Sequence, residues 1–290
     1  MNNNITGSVG INDILSLEEA SQLFQVSTKT FLKLLREENI PARKIGREWR
    51  FSRNALLTWL AAGNSQDYIS AEEAGKAYFA EVAPVYDELR KGCYGEALRE
   101  LLLSRFPPRP EYDVADLGTG TGYLAKNLAG YAHKVWAVDS SAAMLEVARQ
   151  ELQQAGLANI ELVEGDALDL PLPDHSQHMV FANLLLHHVL EPSVAIKEMF
   201  RILKPAGQVI ITDVDLHNHS WAHTEKSDIH LGFERTEIKQ WLNEAGFTKI
   251  EITDLGCNCR TSNQAGNIVQ IPMFQAVAFK TSRVSRGRLS

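Results

Sequence analysis

The segment from Val114 to Leu128, VADLGTGTGYLAKNL, restricts the fold more than any other stretch of the chain. Val114 to Leu117 reads as a buried strand, Gly118, Gly120 and Gly122 as a sharp turn, and Leu124 to Leu128 as the start of a helix. Glycines suit such a turn because the chain bends tightly and a ligand must lie against bare backbone at a helix N-terminus, where free N–H groups favour an anionic group. From Glu111 onward strand-like and helix-like runs alternate. That alternation predicts an α/β domain with a mostly parallel sheet and helices on both faces.

The turn alone leaves the ligand open, and its neighbours narrow the choice. A dinucleotide loop would place a third glycine at 123, where this chain has Tyr123, and no Gly-Lys-Ser/Thr element cradles a phosphate. A second strand, Lys134 to Val138, ends in Asp139, which can accept the two hydroxyls of a ribose. Ser140-Ser141 then caps a helix containing Met144, and a third strand from Ile160 leads into Glu164-Gly165-Asp166-Ala167. A fourth, Met179 to Ala182, runs into Asn183-Leu-Leu-Leu-His-His188, and a fifth, Gln208 to Thr212, ends at Asp213. Acidic groups at successive strand ends fit an adenosine ligand with an amino acid tail and no phosphates.

The ordered motifs DLGTGTG, VDSSAAM, EGDALDLP, FANLLLHHV and LKPAGQVIITD resemble those of the class I, UbiE-like S-adenosylmethionine-dependent methyltransferases over about residues 75–281. The resemblance implies a Rossmann-like seven-stranded sheet, mostly parallel with one antiparallel strand, and S-adenosylmethionine as cofactor. It implies that Asp116, Gly118, Gly120 and Gly122 surround the methionine moiety, with Asn183 near its end and Thr119, Ser140 and Gly165 among the cofactor-binding residues. Asp139 would hold the ribose, and Met144 would pack on the adenine, with Asp166 and the Ala167 backbone at its edge. Tyr78 and Tyr86 fall where such enzymes lid the cofactor. The expected methyl acceptor is a small molecule. DNA is a poor candidate, because the Asn/Asp-Pro-Pro-aromatic element of DNA amino-methylating enzymes is replaced by Asn-Leu-Leu-Leu at 183–186. Methyl transfer is an in-line displacement that owes much to alignment. A base helps when the acceptor carries a proton, and the candidates are His187, His188 and Asp213.

The first sixty residues have a different character. Ser16-Leu-Glu-Glu19 is a capping box, Ser27-Thr28 opens a second short helix, and Ser52-Arg53 opens a third. Between the second and third lies PARKIGREWRF, an extended run broken at Gly46. Residues 1–64 hold eight Lys/Arg and six Asp/Glu, a net of +2 in a chain of net -7, so the remainder carries -9. A basic N-terminal module joined to an acidic body accounts for that asymmetry. Helix, turn, helix, hairpin, helix over 11–63 resembles the excisionase and MerR-like winged helix-turn-helix family. Carried over, Lys29, Thr30, Lys33 and Arg36 would face the major groove of double-stranded DNA and Arg43, Lys44, Arg47 and Arg50 would meet phosphates. So small a module would bind weakly alone, which points to a homodimer.

Residues 64–74 read as a linker, with a capping box at Ser70-Ala-Glu-Glu73, and 282–290 as a basic tail. No apolar run suggests a membrane span and the first residues lack a signal-peptide pattern, so a cytoplasmic protein with no membrane partner is expected. Three cysteines, Cys93, Cys257 and Cys259, form an odd set that suggests reduced thiols. The segment 213–230 carries His217, His219, His223 and His230; a metal site drawing on His217, His219, His223, Cys257 and Cys259 is conceivable, though no clean ligand spacing appears. Two other functions remain open on the sequence. One is a transcription regulator whose methyltransferase fold senses a metabolite without turnover, and the other is a thiol-dependent, arsenite-type methyltransferase.

Overall fold

The structure is a computed structural model that describes residues 14–37, 40–46, 48–62, 65–91, 96–263 and 265–281. Chain contacts divide into two compact units, Met1–Ile69 and Ser70–Ser290.

The small unit contains β1 (Ile14–Leu15), α1 (Leu17–Leu23), α2 (Thr28–Glu37), β2 (Arg43–Ile45), β3 (Glu48–Ser52) and α3 (Arg53–Ala62). Its helices begin where side chains satisfy free backbone donors. The Ser16 hydroxyl accepts the Glu19 N–H at 3.2 Å while the Glu19 carboxylate accepts the Ser16 N–H at 2.8 Å, and Ser27 accepts the Thr30 N–H at 3.0 Å. The β2–β3 hairpin turns at Gly46, whose φ of +64° favours glycine. β1 pairs with β3 and makes a third, antiparallel strand absent from the sequence-based outline. Phe31 packs edge-on to Phe51 with centroids 5.2 Å apart, and Ala20, Ile40 and Leu56 complete a core sealed on one side of the wing.

The next helix, α4 (Ser65–Val82), begins within the expected linker, so Ser70 lies inside it rather than at its start. After it come α5 (Tyr86–Arg90) and α6 (Glu96–Arg105). The sheet of the large unit is built from β4 (Asp113–Leu117), β5 (Lys134–Asp139), β6 (Ile160–Glu164), β7 (Gln177–Asn183), β8 (Leu203–Val214), β9 (Phe247–Ser262) and β10 (Ile268–Lys280). Helices α7 (Tyr123–Leu128), α8 (Ala142–Gln154), α9 (Pro192–Ile202), α10 (Trp221–Glu225) and α11 (Arg235–Ala245) lie between them in the chain. Strand order is β6-β5-β4-β7-β8-β10-β9, with β10 antiparallel to both its neighbours and the pairs from β6 to β8 parallel.

Both faces of this sheet are covered. Along β7, Val180 and Ala182 join one core cluster with Ile196 and Met199 of α9, while Met179 and Phe181 join the other with Leu124 and Leu128 of α7. The unbroken apolar run of β7 follows from burial on both sides. The chain runs outward from β4 through β5 to β6 and then returns to β7 on the other flank of β4. That reversal opens a crevice at the carboxyl ends of β4 and β7, where ligands of open α/β sheets bind.

Candidate functional site

The crevice is lined first by backbone. Gly118, Gly120 and Gly122 have φ of +66°, +55° and +81°, conformations that L side chains resist. A Cβ on Gly118 would stand 2.7 Å from Leu185 Cδ1, so the turn has no room for a larger residue there. Asp139, at the end of β5, accepts the Gly120 N–H at 2.8 Å and the Ser141 N–H at 2.9 Å, which ties the second strand end to the glycine turn. Burial holds its carboxyl above the ordinary carboxylate range, against the pull of these backbone donors. Asp116 is buried at the end of β4 and accepts the Thr119 hydroxyl at 2.7 Å. Its pKa is pushed up to about 7, mainly by burial, with the nearby Asp139 charge adding to the rise.

Two cavities open on this wall. One, of about 130 Å³, is lined by Tyr86, Gly118, Gly120, Asp139, Ser140, Met144, Gly165, Asp166 and Ala167, with Phe79 and His188 beside them. The other, of about 220 Å³, is lined by Tyr86, Asp116, Gly118, Thr119, Gly120 and Asn183, with Asp87, Arg90 and Thr121. They share Tyr86, Gly118 and Gly120. Gly122 lies on neither; it starts α7 and packs against Ala148. Tyr86 is buried against Met144, and the Arg90 guanidinium sits 5.3 Å from its ring. Asp166 is exposed and uses one oxygen on the Leu168 N–H at 2.8 Å. Asp87, Thr121 and Arg90 escaped the sequence reading. The Thr121 hydroxyl donates to Asp87 at 2.6 Å, fastening α5 to the glycine turn across 34 residues of chain that carry no motif.

Beyond the cavities, His187 Nδ1 lies 2.6 Å from Asp213 Oδ1, with both side chains buried. Burial alone would lower the His187 pKa, but the Asp213 charge and hydrogen bond more than reverse this, with Asp228 adding to the rise. His188 is different. Its Nδ1 meets the Ser227 carbonyl at 3.2 Å and its Nε2 meets Arg90 Nη2 at 3.4 Å, which fixes a neutral ring donating from Nδ1 and accepting at Nε2. Burial, then His187 and Arg90, hold its pKa well below the ordinary histidine value. Leu184, between Asn183 and these histidines, is a buried non-glycine residue at φ +51° that lines the first cavity. Such backbone strain concentrates at functional sites.

The proposed His/Cys metal set does not assemble. Among the described residues, the group whose ligand atoms come within 4.8 Å of one another is His187, His188 and Asp228. With both nitrogens of His188 already engaged, that group offers a metal too few lone pairs. His223 Nδ1 meets the Asp228 carbonyl at 2.6 Å, and the His217 and His219 rings lie 5.3 Å apart, tilted by 35°. Cys259 is disulfide-bonded and Cys257 is a free cysteine, against the expectation of reduced thiols; Cys93 lies outside the described residues. A cysteine count reveals parity but not which thiols meet in space, and a three-thiol site is lost with Cys259 so engaged.

On the small unit, Lys29, Thr30, Arg43 and Lys44 are exposed. The Thr30 hydroxyl is bonded to Ser27 at 2.7 Å, so it closes the start of α2. Arg50 pairs with Glu48 in its own hairpin and donates to the Trp49 carbonyl at 3.0 Å. Arg47 and the side chains of Lys33 and Arg36 lie outside the described residues. No helix of the described residues is long and apolar enough to cross a membrane.

Comparison with known proteins matches two family models, a methyltransferase domain over residues 115–211 and a helix-turn-helix domain over 14–64. A demethylmenaquinone methyltransferase of Clavibacter sepedonicus is 40% identical over 208 residues, covering 62% of this chain and 84% of the relative. The methyltransferase YcgJ of Bacillus subtilis strain 168 is 30% identical over 135 residues, and the chain spans about half, 53%, of its length. Among solved structures, the [4+2]-cyclase SpnF superposes with a TM-score of 0.60 at 18% identity, covering 73% of this chain and 96% of that one; it attests the fold alone. With these motifs in order on this sheet, the chain belongs to the class I S-adenosylmethionine-dependent methyltransferase family and carries a helix-turn-helix domain ahead of it.

Proposed function

We propose that this chain methylates a small molecule with S-adenosylmethionine held across the two joined cavities. The observation that carries this is their shared wall of Gly118, Gly120 and Tyr86, with a carboxylate standing on each side. An adenosine part fits the first, where Asp139 accepts ribose hydroxyls and Met144 packs on the base. The amino acid part fits the second, beside Asp116, Thr119 and Asn183. The positive φ of Gly118 and Gly120 leaves bare backbone on the wall that both cavities share, which suits a ligand lying close against it. Bound there, the cofactor supplies an activated methyl group.

The chain's own residues do the rest. Tyr86, packed over the glycine turn, keeps water from the reacting centre. His187 takes a proton from the acceptor at Nε2 while Asp213 fixes its tautomer through Nδ1. A base must be neutral to act. Because the His187 pKa is raised, activity with a proton-bearing acceptor climbs with pH through and above the ordinary histidine value of about 6.5. Titration of the protein with S-adenosylhomocysteine, then incubation with labelled S-adenosylmethionine and a metabolite extract, tests the proposal. Binding with a labelled product is expected, and binding with no product from any extract would favour a metabolite sensor.

We further propose that the helix-turn-helix unit binds double-stranded DNA as a dimer and links the enzyme to transcription. The exposed Lys29, Arg43 and Lys44 support this. In a mobility shift on the promoter of its own operon, Arg43→Ala and Lys44→Ala should each lower the salt slope by about one. Absence of any shift at low salt would contradict it.

A further inference from the structure

A third cavity, of about 20 Å³, shares Arg90 with the second cavity and Leu184 with the first. It therefore stands beside the place where the methyl group would be presented. His187, His217, Trp221 and Asp228 are among its lining residues. Its size suits one hydroxyl-sized group.

Two atoms on this wall, His217 Nε2 and Asp228 Oδ1, are buried without a hydrogen-bond partner among the described residues. Their chemistry is opposite. His217 Nδ1 accepts the His219 N–H at 3.2 Å, so the ring proton sits on Nε2 and makes that atom a donor. Asp228 Oδ1 is an acceptor, and the nearest His187 nitrogen, Nε2, is 3.9 Å away, too far for a hydrogen bond. Buried donors and acceptors are costly to leave unpaired, and such groups mark sites that a ligand completes.

The wall is also built in advance. The Ile229 and His230 N–H groups donate to the His187 carbonyl at 2.9 Å, and His230 Nε2 donates to the Val189 carbonyl at 2.9 Å. His223 meets the Asp228 carbonyl, so the segment carrying Asp228 is pinned on both sides. A single small group in this cavity would face an unpaired donor and an unpaired acceptor. A hydroxyl satisfies both; a carboxylate has no proton to give, and a methyl group can satisfy neither.

We propose that this cavity reads a hydroxyl on the methyl acceptor, with His217 Nε2–H donating to its oxygen and Asp228 Oδ1 accepting its proton. The proposal rests on the methyltransferase reading above. Both are specificity residues in this reading, and neither belongs to a sequence motif. Trp221, Val214, Leu184 and Ile271 supply the apolar remainder of the wall around the hydroxyl.

The test is a binding titration of the full-length protein, with and without S-adenosylhomocysteine, against phenol, toluene and benzoate. These probes carry a hydroxyl, a methyl of similar size, and a carboxylate. Phenol should bind at least about tenfold more tightly than toluene or benzoate, because a site built to hydrogen-bond a hydroxyl rejects the analogue lacking it. His217→Phe and Asp228→Ala should each erase that preference, while His217→Gln, which keeps an N–H donor, should retain most of it. Equal binding of phenol and toluene, no binding of phenol, or a preference for benzoate would overturn the proposal. Failure of S-adenosylhomocysteine to bind the same samples would instead sink the cofactor assignment, since the phenol ratio is also measured in its absence.

Discussion

The two sides of the crevice are made differently. The proposed cofactor side is assembled from strand ends and the turns that follow them: Asp116 is the last residue but one of β4, Asp139 closes β5, and Gly118 and Gly120 lie in the turn between β4 and α7. Each group is placed by backbone within a few residues of its own strand. The acceptor side joins distant stretches, with His187 reaching Asp213 across 26 residues and Arg90 reaching His188 across 98. One side is local geometry and tolerates little change in backbone; the other is long-range side-chain pairing and can vary between acceptors.

That difference can be broken by substitution. The largest effect expected is from His187→Gln, which should lower turnover by about 10²- to 10⁴-fold on a proton-bearing acceptor. Steady-state kinetics should show the loss in kcat, with S-adenosylhomocysteine affinity unchanged. Next is Gly232→Ala, on the segment that carries the acceptor side. Gly232 has φ +77°, and an added Cβ would sit 2.3 Å from the Asp215 carbonyl oxygen. A loss of about 3 kcal/mol is expected in urea unfolding. Removal of acceptor turnover should exceed any loss of cofactor binding in the folded protein.

A smaller effect belongs to Asp116 and has a definite sign. Its pKa rises from 3.8 to about 7 on folding, so the folded state holds the proton more tightly. The stability this contributes is complete below 3.8 and is lost as pH rises through about 7. Asp116→Asn removes the titration, and its unfolding free energy should fall less than that of the parent over this window, by at least about 2 kcal/mol. Equal slopes in urea melts at pH 4 and pH 8 would place Asp116 outside the buried wall.

What sequence made legible follows the same division. The glycine turn, Asp139 and the succession of strands along the chain are readable because strand-turn-helix grammar and the position of a carboxylate after a strand are local. The helix starts at Ser16 and Ser27 were equally local. Asp228 was not readable, since nothing in HTEKSDIHLGF marks one carboxylate as the one that approaches His187. Nor was the engagement of Cys259, nor the start of α4 at Ser65, where Ser70 imitates a cap inside a helix already under way. The basic run also does not reveal that Arg50 pairs with Glu48, two residues earlier on the same strand. A charge pattern shows which residues are basic but not which carry an intramolecular partner.

The division into two sides meets its most direct test in isothermal titration of S-adenosylhomocysteine into Asp139→Ala and His187→Gln beside the parent protein. Asp139→Ala should lose affinity by at least about tenfold, because both the proposed ribose contact and the anchor of the Gly120 turn go with the carboxylate. His187→Gln should bind as the parent does. Equal loss in both variants, or no binding by the parent, would contradict the account.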